Sequence, residues 1–349
     1  MVAVFNNPQV VAQSWYFMAL SQEVRPGQII SRELANRRIV IYRATSGRVF
    51  ALEGRCAHLG ADLGHGTVVG ETLRCAFHHW AYAGDGQCVK IPYMEAIPSF
   101  AKAFAYPVEE KHGAVWVFNG PKPLFSIPTF SGREKNGLRV FLLRPQILNC
   151  HPHVATCNGL DIQHFKTVHR ITFAEEPIVE ELDAFRMQSR FRTRLIGLNV
   201  FEKLLRLLAG ESLSTTFTTW GGNLATIDGQ AGPLPLHVLF THRPLAGGRS
   251  LSQTFFFVPR QYGLQRILKP EFLSGILAKL VTAYLLIGDR KILDHLRFQP
   301  HLVEADAPLA MFIRQVNRMA VFDPTCIQSN NTCPDTAEAC VRTEVTHAV

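Results

Sequence analysis

Between Arg38 and Ala51 the chain reads RIVIYRATSGRVFA, with β-branched and aromatic positions on both sides of Ser46-Gly47. That pattern predicts two strands joined by a tight turn. Ala114-Val115-Trp116-Val117-Phe118 is apolar throughout and reads as a buried strand. Short strands and Gly-rich turns continue to about Gly120, after which Pro121, Pro123 and Pro128 interrupt the pattern. Each proline fixes φ and removes an N–H, so a domain boundary is expected at about residues 121–135. Beyond it helical patterns alternate with strands. PLHVLFTHRPLAGGRSLSQTFFFVPR reads as two strands joined at Gly247-Gly248, one pair of a larger antiparallel sheet. The fold class expected is α+β: an all-β domain over residues 1–122 (core about 14–120), a sheet-and-helix domain over 123–322, and a disordered tail over 323–349. No internal repeat is present.

Composition narrows the class. At 349 residues, 47% hydrophobic and 18% charged, the chain can bury two cores and is not a disordered polymer. Its longest apolar run, Phe272 to Gly288, contains Lys279 and is too short to cross a bilayer, so it reads as a buried or amphipathic helix. The N-terminus lacks the basic start and apolar stretch of a secretory leader, which sets a cytoplasmic expectation. Eight cysteines do not make a disulfide scaffold in a chain of this size, and Cys326, Cys333 and Cys340 read as free thiols in the polar tail. The net charge of +8 comes from scattered basic residues not interleaved with aromatics, which argues against nucleic acid. A basic surface would equally suit an acidic protein partner.

One stretch concentrates metal-ligand chemistry. RCAHLGADLGHGTVVGETLRCAFHHW, residues 55–80, holds two cysteines and four histidines. Cys56 and His58 form a C-x-H pair; Cys75 and His78 form a C-x-x-H pair. Zinc or a Rieske cluster could use two thiolates and two imidazoles. Each pair lies in a Gly-punctuated loop between strands, and no finger helix separates them, which favours the cluster. His65 and Cys88 fit neither pair and read as a loop histidine and a small buried residue, while Trp80 reads as packing over the loops.

The segments CAHLGADL, CAFHHW and GDGQCVKIP resemble the Rieske domain of ring-hydroxylating and related oxygenases. His79 stands where most members have glycine; the FHHW form is similar to aminopyrrolnitrin oxygenase and oxidative-cyclase relatives. The resemblance implies a [2Fe-2S] cluster on Cys56, His58, Cys75 and His78. It also implies a C-terminal domain of helix-grip type.

A second constellation follows at NGLDIQHFKTVH. Asn158, Asp161, His164 and His169 match the N-x-x-D-x-x-H-x-x-x-x-H pattern with which the family holds a mononuclear non-haem Fe(II). At roughly 100° per residue, Asp161 and His164 share nearly one helix face, but His164 and His169 lie about 140° apart. A regular helix could not present both histidines to one metal, so it must end or bulge between them. A carboxylate would complete a facial triad with open positions for O2. Asp289, Asp294, Glu304 and Asp306 are the candidates. HLVEADAPLAMFIRQ resembles the carboxylate region of oxygenases akin to 3-ketosteroid hydroxylases, which selects Asp306, although Asp306 before Pro308 is also a helix N-cap signature. His151 and His153 in CHPHVATC read as structural, since Cys150 and Cys157 add no recognised spacing.

The resemblance implies a terminal oxygenase that receives electrons from a ferredoxin and/or ferredoxin reductase, with NAD(P)H entering only through a separate reductase. No G-x-G-x-x-G follows a strand here. It further implies a head-to-tail homotrimer in which Asp161 bridges His78 or His58 of one chain to His164 of another. The substrate expected is an apolar aromatic or polycyclic metabolite, in a pocket lined by the helix around Ile276 to Leu286 and by strands carrying Leu236, Leu239, Phe255 and Phe257. Monooxygenation, by default hydroxylation, is the expected outcome. N-oxygenation, O-demethylation and oxidative cyclisation use the same iron. The alternatives from other classes are an electron-transfer Rieske protein with a non-catalytic C-terminal binding domain, and a structural zinc protein.

Overall fold

The computed structural model describes residues 3–130, 137–169, 172–194, 212–231, 234–260, 286–322 and 341–342, together with Ile276 and Lys279. Its chain divides into two compact units. The first comprises Met1–Ser126, Arg243–Gly248 and Met319–Val349; the second comprises Ile127–His242 and Arg249–Arg318.

The first unit is built from short antiparallel strands. β1 (Trp15–Leu20), β2 (Ile29–Leu34), β3 (Arg37–Arg43), β4 (Val49–Glu53), β5 (Thr67–Val69), β6 (Thr72–Arg74), β7 (Ala81–Tyr82), β8 (Cys88–Lys90), β9 (Ala105–Tyr106), β10 (Val108–Lys111) and β11 (Ala114–Phe118) form three sheets. Their orders are β1-β11-β10, β2-β3-β4-β9 and β5-β6-β7-β8. The hairpin expected at Ser46-Gly47 joins β3 to β4, and Gly47 takes the left-handed φ of 94° that the turn requires. All five residues of β11 are buried, as their unbroken apolar character dictates. One core packs Ile39, Ile41, Val115 and Val117, and another packs Val40, Tyr42, Leu52 and Tyr82 against Cys56 and Cys75.

Distant pieces of chain close this unit. Fully buried Asn119 donates from Nδ2 to the carbonyls of Val11 (3.0 Å), Ala12 (3.2 Å) and Phe322 (3.3 Å), and accepts at Oδ1 from Arg37 (2.8 Å). Ala35 N–H donates to the Pro244 carbonyl at 2.8 Å. A linear division at residue 122 therefore misses two returning segments, 243–248 and 319 onward. Within the expected tail, Val341–Arg342 pairs antiparallel with Val321–Phe322. The tail cysteines lie outside the described residues.

The second unit carries an antiparallel sheet of nine strands: β12 (Leu138–Leu142), β13 (Gln146–Leu148), β14 (Thr172–Phe173), β15 (Ile178–Glu181), β16 (Arg186–Arg194), β17 (Ser212–Trp220), β18 (Leu224–Ala231), β19 (Leu234–Pro244) and β20 (Ser250–Pro259). The main order is β12-β20-β19-β18-β17-β16-β14, with β13 on β20 and β15 on β16. Described helices are α1 (Pro152–Cys157), α2 (Ile162–Thr167), α3 (residues 286–293) and α4 (Ala307–Asn317). The α+β class expected from the sequence is thus realised, with β19 and β20 adjacent across Gly247-Gly248. Gly159, between α1 and α2, lies so close to the Phe217 ring of β17 that an added Cβ would meet it at 2.2 Å. The turn that leads into α2, the helix carrying His164, therefore lies directly on the sheet.

The expected pocket lining is corrected in one respect. Leu236 pairs with Gly229 and Leu239 with Thr226 in the same ladder. Positions an odd number apart on a strand point to opposite faces, so these two cannot line one cavity. The expected helix from Ile276 to Leu286 falls mostly outside the described residues. Among the described residues, no helix is long and apolar enough to cross a membrane.

Candidate metal centres

Two equivalent loops hold the first ligand set. Cys56 N–H donates to the Ala61 carbonyl and Cys75 N–H to the Trp80 carbonyl, each at 2.8 Å. Both cysteines are buried, whereas His58 and His78 are exposed. The two imidazoles stand side by side with ring centroids 4.7 Å apart, and Trp80 stacks on His58 at 4.6 Å with planes only 6° apart. Thiolates on the inside and imidazoles at the surface fit a two-iron cluster whose inner iron takes sulfur and whose outer iron takes nitrogen. Trp80 thus packs over the loops as expected. His65 is drawn to Asp62 (3.3 Å), and Cys88 is a buried thiol in β8.

His79 occupies φ 58°, the left-handed region. That geometry explains why glycine suits the position: a side chain there is strained.

Tyr82 was not singled out by the sequence. Its hydroxyl accepts from Ala57 N–H at 3.0 Å and lies 3.1 Å from Cys56 Sγ. With its oxygen already accepting, the phenol proton is left to donate to sulfur. Burial, then the Cys56 contact, push the Tyr82 hydroxyl well above its ordinary pKa, so it keeps that proton. Burial also pushes the Cys56 thiol up, against the Tyr82 hydrogen bond. The signal for Tyr82 is faint: a polar-tipped aromatic in a two-residue strand just after the second ligand loop.

The second centre forms where α2 ends. Asp161 caps its N-terminus, accepting at Oδ1 from His164 N–H at 2.9 Å. The helix stops at Thr167, so His169 lies beyond it and escapes the angular conflict set by the spacing. His164 Nε2 and His169 Nε2 are then 2.8 Å apart. Asn158, which C-caps α1, places Nδ2 3.3 Å from His164 Nε2.

The carboxylate that joins them is Asp289 of α3, not Asp306. Asp289 Oδ1 lies 2.9 Å from His164 Nε2 and 2.8 Å from His169 Nε2. Asp306 instead accepts from Gln163 Nε2 at Oδ1 (2.7 Å) and from Val303 N–H at Oδ2 (3.0 Å). Both of its oxygens are thus engaged, one by α2 and one by the backbone just upstream; Asp306 stands at the N-cap position of α4 but its side chain makes no capping bond to that helix, so the cap role its sequence signature allowed is not realised either. Asp294 accepts from Asn149 N–H and Arg290, each at 3.1 Å.

The triad fits a metal on its own geometry. Buried Asp289 Oδ1 has no hydrogen bond of acceptable direction although two ring nitrogens approach it closely. Donors at about 2.1 Å from one ion and mutually cis would be about 3.0 Å apart, whereas a trans pair would be about 4.2 Å apart. All three separations here are 2.8–2.9 Å, close to the spacing expected of three mutually cis donors. Burial works to raise the Asp289 carboxyl, but contacts with His164 and His169 outweigh it and hold the group below the usual carboxylate range. His164, His169 and Asp289 are the group of three that brings ligand atoms within 4.8 Å of one another among the described residues.

His151 and His153 do not join it. His151 Nδ1 accepts from His153 N–H at the start of α1, and burial pushes His153 well below the ordinary histidine value. Burial likewise raises the thiols of Cys150, to about 12, and Cys157.

Comparison with known proteins agrees with this layout. Residues 14–101 match the model of the Rieske [2Fe-2S] domain. Over 166 residues the chain is 32% identical to cholesterol 7-desaturase of Ciona intestinalis, covering 46% of this chain and 35% of that protein. It is 28% identical over 166 residues to the oxygenase component of a 3-ketosteroid-9-alpha-monooxygenase of Rhodococcus rhodochrous, covering 45% and 43% respectively. The chain thus spans less than half the length of these relatives. Among solved structures, dicamba monooxygenase bound to 3,6-dichlorosalicylic acid aligns with a TM-score of 0.66 at 20% identity, covering 87% of this chain and 96% of that one. NdmA of Pseudomonas putida CBB5 aligns with a TM-score of 0.63 at 20% identity, covering 87% and 89%. Residues 14–101 are a Rieske [2Fe-2S] domain, and the chain as a whole has the fold of the Rieske oxygenases.

Proposed function

We propose that this chain is a terminal oxygenase that monooxygenates, by default hydroxylates, an apolar aromatic or polycyclic metabolite. The observation that carries this reading is the facial convergence of His164, His169 and Asp289 in a chain that also holds a Rieske domain. A Rieske domain that only relays electrons needs no second ligand set of two histidines and a carboxylate. When bound, the mononuclear iron supplies the site of O2 reduction, and the cluster supplies an electron it lacks. The balance is one O2, two electrons and two protons, with one oxygen atom inserted into a C–H bond and the other leaving as water. N-oxygenation, O-demethylation and oxidative cyclisation remain the alternative outcomes of the same site. Two relatives named for sterol or ketosteroid oxidation favour a polycyclic substrate.

The chain's own residues orient and connect these groups. Asn158 lies against the His164 imidazole, and Asp161 holds the first turn of α2. We assign its other carboxylate oxygen to bridge toward His58 or His78 of a neighbouring copy. A head-to-tail homotrimer is supported by exposed Leu59, Phe77 and Phe100, apolar side chains close in sequence to the exposed cluster histidines or, for Phe100, against Trp80. Ferredoxin and/or ferredoxin reductase supply the electrons, and a cytoplasmic setting would suit such partners.

The test compares metal content and substrate oxidation in the wild type and His164→Ala. The variant is expected to keep the cluster but lose mononuclear iron and turnover. Full iron and full turnover in the variant would refute the oxygenase assignment and leave the electron-transfer alternative.

A further inference from the structure

Asp306 is left without the ligand role, yet it touches the histidine helix. We propose that Asp306 is a positioning residue that sets the rotation of α2, and with it the His164 imidazole, by holding Gln163. This rests on the reading of His164, His169 and Asp289 as iron ligands.

α2 has only six residues, too few to be stable alone, so its orientation must be imposed by its contacts. The segment leading into it is fixed upstream, where Asn149 N–H meets Asp294 at 3.1 Å. At the helix itself the capping bond from His164 N–H to Asp161 is local and moves with the helix. The Gln163 Nε2 to Asp306 Oδ1 bond, at 2.7 Å, ties α2 to a separate element. Asp306 is itself held, because its other oxygen accepts from Val303 N–H at 3.0 Å. Adjacent helical residues point roughly 100° apart, so fixing Gln163 fixes the azimuth of His164. A nitrogen roughly 6 Å from the helix axis moves about 0.5 Å for a rotation of about 5°, more than the ±0.2 Å a metal–ligand distance tolerates.

Iron retention against a chelator, counted per cluster, and the EPR spectrum of the nitric oxide adduct of the mononuclear Fe(II) provide the test. Gln163→Ala and Asp306→Ala should each weaken iron retention by about fivefold to tenfold and broaden the EPR signal, somewhat less than loss of a direct partner of a ligand. The double variant should be no worse than either single one, since both remove the same bond. Asp306→Asn, whose amide oxygen can still accept from Gln163, should recover most of the retention. His164→Ala serves as the reference: if it kept mononuclear iron, the ligand reading itself would fail. If His164→Ala lost iron but Gln163→Ala kept wild-type retention and spectrum, the positioning role would be overturned. Additive losses in the double variant would overturn it as well, since Gln163 and Asp306 would then act on the iron independently of the bond between them.

Discussion

Tyr82→Phe removes a single oxygen and tests how this chain tunes its cluster. The ring is fully buried, and phenylalanine fills the same space, so the core around Cys56 and Cys75 is preserved. Two contacts disappear: the hydroxyl 3.1 Å from Cys56 Sγ, and the acceptor for Ala57 N–H at 3.0 Å. A hydrogen bond to a charged group contributes roughly 1.5–3 kcal/mol. Only the part that differs between redox states moves the potential. Reduction adds negative charge on sulfur and strengthens the bond; taking about 1 kcal/mol for that difference, a one-electron couple shifts by about 40 mV. The sign is fixed, since a lost donor disfavours the reduced form and lowers the potential. Because burial keeps the Tyr82 phenol protonated, the shift should be the same at about pH 6 and about pH 8. A redox titration followed by EPR of the reduced cluster measures it. An unchanged or raised potential, with the cluster fully loaded, would refute the assignment of Tyr82 as donor.

Other perturbations separate the two centres and the scaffold. Asp289→Ala should abolish mononuclear iron binding while Asp306→Ala only weakens it, as metal analysis normalised to cluster absorbance will show. The Asp289 carboxyl is held below its ordinary range, so its contribution to stability of the iron-free protein is present above about pH 4 and lost as pH falls through the folded value. Wild type and Asp289→Asn should therefore differ in denaturant stability at neutral pH, with the difference shrinking as pH falls below about 4. His79→Gly, which relieves a side chain at φ 58°, should raise stability by about 1 kcal/mol in chemical denaturation without loss of the cluster. Asn119→Ala removes the acceptor of the Arg37 guanidinium and a buried donor to the Val11, Ala12 and Phe322 carbonyls, and should cost roughly 2–4 kcal/mol, read as a lowered thermal midpoint of the first unit.

What the sequence makes legible follows the range over which its rules act. Turn residues and strand alternation are local, so the β3–β4 hairpin, β11 and the β19–β20 pair could be drawn from a dozen residues each. The Cys56/His58 and Cys75/His78 pairs are local as well, each lying within one loop. His164 and His169 were readable down to the need for the helix to stop between them, because helix geometry forbids the alternative. The return of residues 243–248 and 319–322 to the first unit had no such signal. The first depends on Ala35 N–H reaching the Pro244 carbonyl and the second on Asn119 Nδ2 reaching the Phe322 carbonyl, and an asparagine at the end of an apolar strand reads equally well as a turn residue.

The third donor of the second centre marks where spacing stops being informative. More than a hundred residues separate Asp289 from His164, so no periodicity relates them, and the choice fell to a likeness around Asp306. Yet the two aspartates differ in a way their neighbours encode. Asp306 precedes an Ala-Pro pair and an apolar run, a helix start, where Gln163 Nε2 and Val303 N–H meet its two oxygens. Asp289 stands one helical turn before Leu293, which is buried, so both share the inward face of α3. A carboxylate on a buried helical face is costly unless something pairs with it. Asp289 is only 14% exposed, and what pairs with it is the two imidazoles. An acid that interrupts an apolar helical face therefore asks for a ligand or a cation, whereas an acid at a partly exposed helix start, as Asp306 is, can be satisfied by neutral donors such as Gln163 Nε2 and Val303 N–H. Among the four candidate carboxylates, Asp289 is the one on such a face that meets both imidazoles.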